Sequence, residues 1–135
     1  MTAALKEIIV EEHKALEALL DILDEQFKYL TKRDVFSLDK VSKKLHECSV
    51  KIAHFEMERR KLTAGKSMKN IIEDTKDKEL ENKYREIVKL LSEIELQKTT
   101  NDMLIKQGLG FATQMLNFLN PNKGPKTYNS YGKRK

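Results

Sequence analysis

Apolar residues recur in this chain at steps of three and four, the spacing of one helix face and not of a strand. From residue 2 to 30 the stripe is Leu5, Ile8, Ile9, Leu16, Leu19, Leu20, Leu23, Phe27 and Leu30. From 35 to 63 it is Val35, Leu38, Val41, Leu45, Cys48, Ile52, Phe55 and Leu62, a near-heptad seam that only Arg59 interrupts. A third periodic segment runs from about 77 to 119 and starts on Leu80, Tyr84, Ile87, Leu91 and Ile94. Helix breakers are scarce, with 5 Gly and 2 Pro in 135 residues, and no segment reads as a strand. The expected fold is all-α: an antiparallel three-helix bundle or coiled coil with a long C-terminal helix and a flexible tail. The expected domains are a helical bundle over 1–120, with helices at about 2–30, 35–63 and 77–119, and a basic tail over 121–135.

Local signals place the ends. Thr31-Lys32-Arg33-Asp34 reads as a tight connection with Asp34 as the next N-cap, so the first two helices must lie antiparallel. Gly65 is expected to stop the second helix. Residues 63–76 are polar and broken, with at most a short helix at 68–74. They are expected to be the most mobile internal connection.

Charge narrows the function. From Pro121 onward there are five bases and no acid; removing them from 26 Lys+Arg leaves 21, against 21 Asp+Glu, so the +5 of the chain is the tail's. A nucleic-acid binder would carry a basic face on its folded body as well, and no nucleic-acid partner is expected. The single cysteine, Cys48, permits no internal disulfide and fits a reducing compartment. The N-terminus has no apolar core of a signal peptide, and no apolar run is long enough for membrane insertion. The expected location is the cytoplasm.

Catalytic and metal chemistry have little footing. There is no Gly-x-Gly-x-x-Gly, P-loop or nucleophile elbow. A di-iron bundle would need Glu-x-x-His pairs, and none occurs. His54 and Glu58 are an i, i+4 pair that stands alone, and Cys48 lies on the apolar seam as a small core residue. The chain therefore reads as a binding protein, not an enzyme, with no cofactor.

The feature above background is residues 103–119, where Lys106 is the only charge. Met103, Leu104, Ile105, Leu109, Phe111, Ala112, Met115, Leu116, Phe118 and Leu119 are apolar. All but Met103 spread over about half the helix circumference, wider than the stripe of an ordinary bundle helix. This is either a core stripe shared with the first two helices or a surface for a partner. The third helix outruns the hairpin that could cover it, and Met and Phe suit a face that accepts another helix, so a partner surface is favoured. Gly108 and Gly110 either permit close helix packing or mark a soft point. Tyr128 and Tyr131 in the basic tail have the character of short docking anchors.

The pattern resembles the FlgN family of flagellar export chaperones over nearly its whole length. The matching features are the hairpin with an Asp-led second helix (Asp34, Leu38, Leu45) and Phe-Glu-x-Glu-Arg-Arg at Phe55 to Arg60. Asn101 shortly before Leu104-Ile105 is a further match, and so is a tail Tyr-x-x-x-Gly at Tyr128 to Gly132. Where the family often has a second Asn, this chain has Lys98. The resemblance implies a non-catalytic, ATP-independent cytoplasmic chaperone. It would hold the terminal helical segments of the hook-associated proteins FlgK and FlgL before type III export. Client contact would then fall on Leu104, Ile105, Leu109, Phe111, Met115, Leu116, Phe118 and Leu119. Tyr128 and Gly132 would dock the complex on the export gate. The alternative is a homo-oligomeric structural coiled coil using the same face, and weak self-association of the client-free chain stays open.

Overall fold

The structure, a computed structural model, describes residues 2–119. Four helices follow one another: α1 (Thr2–Lys32), α2 (Val35–Thr63), α3 (Met68–Thr75) and α4 (Lys78–Leu119). Among the described residues there is no strand. The described residues divide into two units between Asn101 and Asp102.

In the first unit α1 is the shared partner of α2 and α4. On one side, Cys48 of α2 donates its thiol proton to the Ala15 carbonyl at 3.4 Å, and Lys44 reaches Glu25 at 3.4 Å. Arg59 meets Glu12 at 3.1 Å. Numbers rise on one helix as they fall on the other, so α1 and α2 are antiparallel, as the short connection requires. On the other side, Lys6 binds Asp77 at 2.8 Å, His13 lies 3.8 Å from Glu86, and Asn101 reaches Leu23 at 2.9 Å. Here the numbers rise together, and α4 runs parallel to α1.

The core joins Leu5, Ile9, Leu16 and Leu23 of α1 to Leu80, Ile87, Leu90 and Ile94 of α4. Leu45, Ile52 and Leu62 of α2 pack against it. One expected core position changes: Leu91 is 46% exposed, and Leu90 is buried in its place. Two residues one step apart compete for the seam, and only the helix's rotation against α1 chooses between them. Val35, expected on the α2 seam, and Phe27, expected on the α1 stripe, are exposed as well.

The helix ends follow local chemistry. Arg33 adopts a left-handed backbone (φ 55°), which reverses the chain directly after α1. Asp34 then caps α2: it accepts from the Ser37 N–H at 3.1 Å and from the Ser37 hydroxyl at 2.7 Å. Those bonds hold its carboxyl below the usual aspartate range. At the end of α2 the left-handed cap is Ala64, with Gly65 (φ 81°) following it. Asp77 starts α4 by accepting from the N–H groups of Glu79 and Leu80.

Residues 63–76 hold a short helix where one was allowed. They contain the eight-residue helix α3, N-capped by Ser67, and Met68 and Ile71 are both buried in the core. Met68 and Ile71, at i and i+3, share one face of α3, and that face joins the core.

Candidate functional site

Residues 102–119 continue α4 without a break, through Gly108 and Gly110. A Cβ added at either glycine would meet nothing within 4 Å. Neither glycine has a packing neighbour among the described residues, and a glycine inside a helix lowers its stability by roughly 0.5–1 kcal/mol relative to alanine. The hydroxyl of Thr113 donates to the Leu109 carbonyl at 3.0 Å, a local bond that leaves the helix surface to the apolar side chains.

The striped and the exposed regions of α4 are not the same. Every residue from Ile105 to Leu119 is exposed, apolar and polar alike, and Leu104 is half-buried. Leu109 is 66% and Phe118 79% exposed. Leu104, Ile105, Leu109, Phe111, Met115, Leu116, Phe118 and Leu119 share one continuous helix face, nearly charge-free, with Lys106 on the opposite side. Exposed apolar patches of this size mark binding sites. What such a face can do is bury another apolar helix face, read at i, i+3, i+4 and i+7. It has no group to carry acid–base, nucleophilic or redox chemistry. Tyr128 and Gly132 lie outside the described residues.

The other singled-out residues fall elsewhere. Cys48 is buried on the α1–α2 seam, and burial pushes its thiol up from the usual range, which makes it a packing residue. The His54 ring is tilted against Phe55 at 5.9 Å. Among the described residues no three His, Cys, Asp or Glu side chains are placed to hold a metal ion. No helix among them is long and apolar enough to cross a membrane.

Glu12, Thr63 and Asn101 are the buried polar residues among those described; none of them was expected to be buried, and Asn101 figured only in the family resemblance. Glu12 is 7% exposed and faces Arg59, the one break in the α2 seam. Desolvation raises its carboxyl above the usual range, and the Arg59 charge and hydrogen bond oppose that. Asn101 is fully buried. Both sit at positions where the apolar spacing calls for a hydrophobic residue: Leu5, Ile9, Glu12, Leu16 on α1 and Leu80, Ile87, Ile94, Asn101 on α4. That was the signal available. A polar residue in register on an apolar stripe is buried with its partner.

The described residues form an all-α fold of four helices. The chain belongs to the FlgN family, whose model (FlgN protein) matches residues 1–135, the whole chain. FlgN proteins are flagellar export chaperones, and the family's members bind flagellar hook-associated proteins. No curated protein and no solved structure matches the chain.

Proposed function

We propose that this chain is a cytoplasmic type III flagellar export chaperone for the hook-associated proteins FlgK and FlgL. It binds their terminal helical segments on Leu104, Ile105, Leu109, Phe111, Met115, Leu116, Phe118 and Leu119. The observation that carries the reading is that every residue from 105 to 119 is exposed although most of them are apolar. Covering the client's amphipathic helix with this face removes its apolar stripe from water and blocks premature assembly without any chemistry, cofactor or nucleotide. Ordering the client's helix on docking offsets part of the interaction, which leaves an affinity suited to a carrier that must release its cargo. In this reading residues 1–120 hold and present the client. The tail, through Tyr128 and Gly132, docks the complex on the export gate.

Calorimetric titration of FlgK and FlgL with the Met115→Glu variant tests the face. Glutamate favours helix, so helicity by circular dichroism is expected to be unchanged while affinity falls at least tenfold. Wild-type affinity in that variant would overturn the assignment. Tyr128→Ala is expected to leave client affinity intact and to reduce export and motility; normal motility would remove the tail from the mechanism. A homo-oligomeric coiled coil would use the same face. Its signature is a concentration-dependent mass in light scattering that Met115→Glu abolishes, with no heat on adding either client.

A further inference from the structure

Asn101 completes a strict heptad with Leu80, Ile87 and Ile94, all buried on α4. It is the only polar member of that row. Its side-chain amide donates both protons to α1, one to the Leu23 carbonyl at 2.9 Å and one to Gln26 Oε1 at 2.9 Å. Its own carbonyl oxygen accepts from Gln97 Nε2 at 3.0 Å. Both donors and the carbonyl oxygen of this fully buried amide are therefore partnered. Among the described residues no buried side-chain nitrogen or oxygen lacks a partner.

We infer that Asn101 is a register clasp: it holds α4 at one axial position on α1 and so sets where the client-binding face begins. The apolar row alone does not define that position. Sliding α4 by seven residues, about 10 Å at ~1.5 Å per residue, would bring Ile94 or Gly108 to the place of Asn101 and keep much of the row matched. The amide does not tolerate the slide. Where the slide carries it into the seam, to the buried place of Ile94, it would lose Leu23 and Gln26 and be buried with two unmet donors, which is costly; where it moves outward, it gives up three hydrogen bonds. A single asparagine in an apolar seam is a known device for fixing register at some expense of stability. The boundary of the compact unit falls directly after this residue, and the first proposed client residue, Leu104, follows three positions later. Asn101 is thus a positioning residue, and its effect on binding rests on the client-binding reading of residues 104–119.

The test measures register and affinity separately. Nitroxide labels at Glu7→Cys and Lys98→Cys, both exposed positions, in a Cys48→Ala background report the axial offset of α1 and α4 by pulsed electron resonance. The wild-type pair is expected to give one narrow distance. Asn101→Leu is expected to melt at the same or a higher temperature. It should also show a broadened distance or a second one shifted by about 10 Å, and bind FlgK at least tenfold more weakly. A single unchanged distance overturns the clasp, whether or not the melting temperature falls, because Asn101 is then an ordinary stabilising bond. Gln26→Ala, which removes one acceptor and leaves the apolar row intact, should widen the same distribution less. A narrow distribution there, alongside an Asn101→Leu chain that does not fold, also overturns it. If wild-type chain binds neither client, the functional reading fails, and the distance measurement still decides the clasp.

Discussion

The two halves of α4 are opposites. From Lys78 to Asn101 the helix is laced with Glu and Lys, yet it buries Leu80, Ile87, Leu90, Ile94 and Asn101. From 103 to 119 only Lys106 is charged, yet no residue is fully buried. Burial follows the geometry of the stripe and the presence of a partner element, and mean composition does not decide it. A narrow row of leucines and isoleucines surrounded by charge has one way to face α1. A half-circumference of Leu, Met and Phe exceeds what one neighbouring helix covers.

The largest expected effect breaks the first half and spares the second. Leu80→Ala removes a fully buried side chain and is expected to cost about 3 kcal/mol of unfolding free energy, whereas Leu109→Ala, at 66% exposure, should change stability by less than about 0.5 kcal/mol. Denaturant titration of both variants checks the contrast. Equal losses would mean that the C-terminal stretch is packed core.

Next in size is the polar pair inside the bundle. Arg59→Leu leaves the buried Glu12 without its counter-charge and should cost roughly 3 kcal/mol at neutral pH. The loss should shrink in mild acid, where Glu12 takes up a proton. Adding Glu12→Leu to Arg59→Leu is expected to restore most of the stability, since replacing both partners with apolar groups is often neutral. A double variant as weak as the single one would show that the pair contributes net stability.

Smaller still is the softness of the second half. Gly108→Ala and Gly110→Ala meet open space, and each should strengthen the helix by roughly 0.5–1 kcal/mol. Hydrogen exchange is expected to slow over 102–119 and to stay unchanged in residues 2–101. Slowing in both regions would join them into one cooperative unit.

The smallest effects are those of exposed caps and pairs on pH. The Lys6 bond, with backbone bonds, lowers the Asp77 carboxyl below its ordinary value, and the Ser37 bonds lower that of Asp34. A depressed folded-state value gives stability that is present above the unfolded value of about 3.9 and is lost as pH falls through the folded one. Glu12 has the opposite sign. Its folded value is raised, so its contribution falls as pH rises from the ordinary glutamate range through the folded value. Glu12→Gln should flatten the profile just above the glutamate range. Asp34→Asn should flatten it below the aspartate range, read as melting temperature against pH.

Much of this molecule was legible in the chain. Periodicity of three and four identified the helices, because an α-helix repeats every 3.6 residues and must bury one face. Asp34 announced the start of α2, because a short carboxylate can satisfy the orphan N–H groups of a first turn. The apolar stretch at 103–119 was visible for the same reason, and so was its excess width. Three things only the tertiary structure decided. Leu90 was chosen over Leu91 by the rotation of α4 against α1, which no local signal encodes. Met68 and Ile71 of α3 were buried in a core built from distant residues, which no local signal in 63–76 announced. Glu12 with Arg59 and Asn101 with Gln26 were placed in pairs by helix–helix register. A buried polar side chain is stable only opposite its partner, and the partner lies 47 residues away in one case and 75 in the other.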